Sequence, residues 1–135
     1  MQKHLTLHND VQQVTLLADY IDAVADEGAL DPALAISLNL ALEEAVANVI
    51  LYAYPEGTQG DVDITTTVAD GVLTFIIADE GVPFDPTQKE EADVTLGLEE
   101  RPIGGLGIFL VRQIMDTVGY ERRGGRNILT LTKKL

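Results

Sequence analysis

Three groups of residues in this 135-residue sequence have types and spacings that can carry chemistry. Glu44 and Asn48 stand four apart in the run EEAVANVILY, which puts a carboxylate and a carboxamide on one face of a helix. Asn is a mediocre helix former, so its place deep in an apolar helix calls for a reason. Taken alone, a satisfied core amide or a polar residue at the rim explains it better than a ligand role does. Asp79 ends the apolar run TFIIAD and is followed by Glu80-Gly81-Val82-Pro83-Phe84. A carboxylate at the end of a buried strand is costly unless it is hydrogen-bonded or faces a cleft. Gly81 would let the backbone approach a planar ligand and Phe84 could wall a pocket, although a plain strand-ending turn accounts for the same residues. Gly104-Gly105-Leu106-Gly107 runs into a helix, whose unpaired N–H groups and positive dipole end suit phosphate, and a flexible hinge is the bland alternative. Order raises the three above their separate weights: Asn48, then Asp79 31 residues later, then Gly104 after 25 more.

The elements that must position these groups follow from periodicity. KHLTLH alternates and reads as a short strand. Asn9 or Asp10 caps a helix with Val11, Val14, Leu17, Ile21 and Val24 at helical spacing, closed by Gly28. Asp31-Pro32 starts a second helix that runs to about Tyr52 and carries Glu44 and Asn48. YPEGTQGD is a loop, Asp70-Gly71 is a hairpin turn between DVDITTTV and VLTFIIAD, and residues 80–103 lose periodicity, as functional loops do. A third helix resumes near Gly105 and ends before Gly119. The strands GYERR and NILTLTKKL flank the turn Gly124-Gly125. The expectation from these elements is one α/β domain over 1–135, with helices packed on a mainly antiparallel sheet.

Composition removes several function classes. There is no Cys, so thiol catalysis, disulfides and Cys-based zinc sites are excluded. The two histidines, His4 and His8, share one short alternating stretch, which makes a His-based metal site or triad improbable. Net charge is −13, and it is unevenly spread: no Lys or Arg lies between Lys3 and Lys89. Residues 1–88 hold one cation and fifteen acids, against eight cations and seven acids in 89–135. No basic footprint exists for nucleic acid or an anionic membrane. The N-terminus lacks the apolar core of a signal peptide, and no run approaches the roughly 18 apolar residues that span a bilayer, so the expected location is the cytoplasm.

The sequence resembles the GHKL ATPase superfamily, whose Bergerat fold implies a two-layer sandwich holding ATP between helices on one face and a mixed, mainly antiparallel sheet, and within it the small bacterial anti-sigma-factor serine kinases. EEAVANVILYAYPEG resembles their N-box, DEGVPFDP their first glycine box and GGLGIFLVRQIMD their second; the likeness continues to the closing GGRNILTLTKKL. The resemblance implies ATP and Mg²⁺ as cofactors, with Asn48 as the metal ligand and Glu44 as the carboxylate that orients or deprotonates the attacking hydroxyl. It implies Asp79 as acceptor for the adenine amino group, with Gly81 and Phe84 in the same wall. Gly105, Leu106 and Gly107 would form the phosphate-binding turn with Gly104 as its hinge, about 85–103 the ATP lid, and Arg101 a phosphate-directed cation. The implied partners are a STAS-type anti-sigma antagonist, phosphorylated on serine, a sigma factor and a second copy of the chain, joined through the N-terminal strand and nearby helix surface. Two departures stand out. Asn127 occupies a place where several relatives carry Thr, and one extra residue separates Arg101 from the glycine turn. A histidine-kinase reading fits less well, because no phosphoacceptor helix pair is present. The alternative function is a nucleotide-gated protein-binding module without kinase activity.

Overall fold

The computed structural model describes residues 1–88 and 107–135. Five strands form one sheet in the order β1-β2-β3-β5-β4: β1 Gln2–His8, β2 Asp61–Ala69, β3 Val72–Asp79, β4 Thr117–Arg123 and β5 Arg126–Lys134. Two hairpins are made locally. Asp70 and Gly71 turn β2 into β3 with φ of 54° and 75°, and Gly124 and Gly125 turn β4 into β5 with φ of 60° and 76°. Positive φ at both central residues matches the twist of the flanking strands. All four pairings are antiparallel, so the described sheet lacks the parallel component that a mixed sheet implies. The reason is the insertion of β5 between β3 and β4: those two strands run in the same direction but never touch.

Three α-helices cover one face, α1 Leu17–Gly28, α2 Pro32–Tyr52 and α3 Gly107–Ile114. The alternate residues Leu7, Val62, Ile64, Leu73, Phe75, Ile77, Leu129 and Leu131 point at them and are buried. Ile21, Val24, Leu38, Leu42, Val46, Ile108 and Val111 meet them from the helical side. The segment expected to begin the first helix is a 3₁₀ turn, Val11–Leu16, capped by the Asp10 carboxylate on Gln12 N at 2.9 Å. The left-handed residue after α1 is Ala29 (φ 52°), one position beyond the expected Gly28. Its strain, about 1–2 kcal/mol, is held by the Leu30 N–H bond to Ala25 O at 3.0 Å.

The second helix has the expected bounds. Asp31 accepts from Ala33 N at 2.8 Å, and Pro32 opens the first turn where its missing N–H is harmless. An 18-residue window of α2 reaches a mean hydropathy of 1.6, which by length and composition alone would suffice to cross a membrane. Half of that window is buried inside the fold, as a core helix requires. Of the helix's polar residues Ser37, Asn39, Glu43, Glu44 and Asn48, the last three fall on the stretch that carries the candidate site.

Candidate functional site

Glu44, Asn48 and Tyr52 succeed one another at intervals of four along α2, so they share one helical face at roughly 6 Å steps. Asn48 is 2% exposed, and its Oδ1 is buried with no hydrogen-bond partner among the described residues. An orphaned buried carbonyl oxygen costs about 1–3 kcal/mol. That observation decides against a satisfied core amide and fits a hard, neutral oxygen donor for a cation such as Mg²⁺. Among the described residues no group of three or more His, Asp and Glu could hold a metal. A cation at this site would take Asn48 Oδ1 as a neutral oxygen ligand. Glu44, one turn earlier, is half-buried, and burial raises its pKa, with the negative charge of Glu43 adding to the rise. Both effects disfavour the ionised form, which makes the carboxylate a better proton acceptor. Glu43 itself accepts a hydrogen bond from Asn39 Nδ2, one turn earlier on the same helix, at 3.1 Å.

Asp79 closes β3 on the helix-facing side and is 1% exposed. Its Oδ1 accepts from Gly81 N at 2.8 Å and from Asn127 Nδ2 at 2.9 Å. Its Oδ2 has no partner among the described residues. Burial raises the Asp79 pKa, while the bonds from Asn127 and Gly81 and the charges of Arg122 and Arg126 pull against that rise. The carboxylate is thus half satisfied, with one oxygen held and the other unspent.

The loop after Asp79 is stapled to the end of α2. Val82 N donates to Ala53 O at 2.8 Å, and Glu80 N donates to Tyr54 Oη at 3.1 Å. The Tyr54 hydroxyl in turn donates to Asp61 O at 2.7 Å. A Cβ at Gly81 would lie 2.2 Å from Ala53 O, so the close approach that demands glycine here is to the helix backbone. Phe84 stacks obliquely on Tyr52, with centroids 5.5 Å apart and planes at 35°. Arg122 Nη1 donates to Gly81 O at 2.8 Å. These contacts bring the Asp79–Phe84 loop to the same end of α2 as Tyr52, one turn beyond Asn48.

Beyond the loop, Asp85 Oδ1 caps Thr87 N at 2.8 Å, and Arg112 Nη2 from α3 donates to Thr87 O at 2.8 Å. Gly107 is the first residue of α3, which packs against α2 through Ile108 and Val111. Arg101, Gly104, Gly105 and Leu106, and all of the expected lid past Gln88, lie outside the described residues. An open groove of about 1130 Å³ is lined by His8, Tyr54, Asp61, Glu80, Pro83 and Arg122 among others. It borders the 80–83 loop and contains neither Asn48 nor Asp79.

Sequence reasoning left the part played by Asn127 open and passed over Tyr52, Tyr120 and Arg122. The signal for Asn127 was present: in RNILTLT it shares the inward parity of Leu129 and Leu131, and a polar residue at an inward position must be bonded.

Helices carrying Glu44 and the orphaned Asn48 oxygen on one side, and an antiparallel sheet whose β3 ends in a buried carboxylate on the other, make a two-layer α/β domain. Residues 7–133 match the histidine kinase-like ATPase domain, and the chain belongs to that family. It is 33% identical over 99 residues to the serine/threonine-protein kinase BtrW of Bordetella bronchiseptica, covering 73% of this chain and 70% of that protein. It is 34% identical over 105 residues to the serine-protein kinase RsbW of Bacillus subtilis, covering 73% of this chain and 63% of the relative. The chain thus spans less than two thirds of the second relative's length. Among solved structures, the RsbU and RsbW domains of a Mycobacterium tuberculosis protein align over 100% of this chain and 32% of theirs, with TM-score 0.71 and 16% identity. The histidine kinase domain of a blue-light activated kinase from Erythrobacter litoralis aligns over 93% of this chain and 60% of its own, with TM-score 0.59 and 19% identity. At those identities the two structures bear on the fold alone.

Proposed function

We propose that this chain is an ATP-dependent protein serine/threonine kinase acting in a cytoplasmic anti-sigma circuit. It would transfer the γ-phosphoryl group of ATP to a serine of a STAS-type anti-sigma antagonist, and hold a sigma factor as its other partner, as a homodimer. One observation carries the reading. A half-buried carboxylate with a raised pKa, Glu44, sits one helical turn from the buried, unpartnered oxygen of Asn48. A module that only binds nucleotide has no use for Glu44 at that position. The names of the two curated kinases support phosphoryl transfer, and the partners rest on the family resemblance.

Each residue then has a part. Asp79 Oδ2 accepts from the adenine amino group, while Gly81 and Phe84 form the wall beside it. Asn48 Oδ1 would hold Mg²⁺, which when bound neutralises charge on the phosphate oxygens. Glu44 takes the proton of the serine hydroxyl as its oxygen attacks the γ-phosphorus and the bond to the departing oxygen of ADP breaks. Phosphoserine and ADP are the products. The turn Gly104–Gly107 and Arg101 would meet the phosphates, and the lid of about 85–103 would close over them. Phosphorylation of the antagonist would block its binding and leave the kinase free to hold sigma.

Isothermal titration with Mg-ATP, followed by incubation with radiolabelled ATP and a panel of recombinant antagonists, tests the proposal. ATP binding and phosphoserine on one antagonist are expected. Tight binding without label on any antagonist would replace the kinase by the nucleotide-gated binding module. Absence of binding up to millimolar Mg-ATP would remove both.

A further inference from the structure

Asn127 stands directly opposite Asp79 in the β3–β5 register and is 3% exposed. Its carboxamide is fully used. Nδ2 donates to Asp79 Oδ1 at 2.9 Å and to Val82 O at 2.8 Å. Its Oδ1 accepts from Phe84 N at 3.2 Å and from the Tyr120 hydroxyl at 2.5 Å. Two hydrogens and two lone pairs are all that an amide offers, so nothing remains for a nucleotide. Asn127 must act through what it holds.

What it holds is the orientation of Asp79. With Gly81 N and Asn127 Nδ2 both on Oδ1, the carboxylate cannot rotate without breaking two buried hydrogen bonds. The amide itself cannot flip either. Reversed, its NH₂ would face the N–H of Phe84, and its oxygen would face the acceptors Asp79 Oδ1 and Val82 O. Because Val82 and Phe84 are both bonded, the same amide also fixes the loop that carries Gly81.

We propose that Asn127 is a positioning residue that sets purine selectivity: by pinning Asp79 Oδ1 it leaves Oδ2 as a fixed, acceptor-only group that takes the adenine amino group and rejects guanine's carbonyl. The inference rests on the reading of Asp79 as the adenine acceptor. Tyr120 completes the device from β4 by filling the last acceptor position of the amide.

Affinities for ATP and GTP, measured by titration on wild type, Asn127→Ala and Tyr120→Phe, test it. Wild type should prefer ATP. In Asn127→Ala, ATP affinity should fall about tenfold with GTP affinity little changed, so the ratio drops about tenfold; Tyr120→Phe should lower the ratio by about threefold. A residue with a merely structural role would weaken both nucleotides equally and leave the ratio alone. An unchanged ratio in Asn127→Ala that retains a cooperative melt overturns the proposal. If that variant does not fold, an unchanged ratio in Tyr120→Phe overturns it instead. A wild type that binds ATP without preferring it to GTP also overturns it. A wild type that binds no ATP fails earlier, at the assignment of Asp79 itself.

Discussion

Replacing Asp79 by Asn should separate binding from stability. The change is isosteric, and Gly81 N and Asn127 Nδ2 both demand an acceptor at the Oδ1 position. The new carboxamide must therefore keep its oxygen there and put NH₂ where Oδ2 was. An adenine amino group then meets a donor in place of a charged acceptor. A hydrogen bond to a charged group contributes about 1.5–3 kcal/mol, so ATP should bind about 10- to 150-fold more weakly, before counting the donor–donor contact. Stability should move the other way. Burial raises the Asp79 pKa, so the protein loses stability as pH rises through that folded value, because the ionised form is the disfavoured one. At pH 7 the neutral Asn avoids that loss. Asp79→Asn should melt at or above the wild-type temperature at pH 7, with the gap closing as pH falls and wild-type Asp79 takes up its proton. Titration calorimetry and thermal melts across pH are the assays. Undiminished ATP affinity would refute the adenine assignment; a melt several degrees lower at pH 7 would refute the reasoning about buried charge.

Other expectations follow from the same geometry. Transfer rate should fall as pH drops through the raised Glu44 pKa, and Glu43→Gln should move that midpoint down by removing the neighbouring charge, read from a pH–rate profile. Asn48→Leu should remove the orphaned oxygen, raising stability or leaving it unchanged, while abolishing the Mg²⁺ dependence of ATP binding measured with and without the metal. Gly81→Ala should cost about 1–3 kcal/mol in denaturant unfolding, because its Cβ would lie 2.2 Å from Ala53 O and both backbones would have to shift.

How much of this could be read beforehand depends on how local the cause is. The bounds of α2 follow from Asp31-Pro32, and both hairpins from their turn residues, since each is decided within a few positions. Glu44, Asn48 and Asp79 were visible as polar residues at inward positions of apolar elements. The place of β5 between β3 and β4 was not legible, because that pairing joins segments about 50 residues apart with no local signal. The first helix begins as a 3₁₀ turn for reasons its apolar spacing does not express. The bond from Asn127 to Asp79 is a cross-strand fact that appears only once register is known. Gly81 stood out as a place for close approach to a planar ligand, yet the neighbour that demands glycine there, the carbonyl of Ala53, lies 28 residues earlier and could not be named from spacing.

The central claim is that Glu44 serves phosphoryl transfer and not nucleotide binding. Glu44→Gln, compared with wild type for Mg-ATP affinity and for phosphoserine formed on a STAS-type antagonist, tests it most directly. The account predicts ATP affinity within about twofold of wild type and transfer reduced by about 10²–10⁴. Transfer at the wild-type rate, or equal loss of binding and transfer, would contradict it.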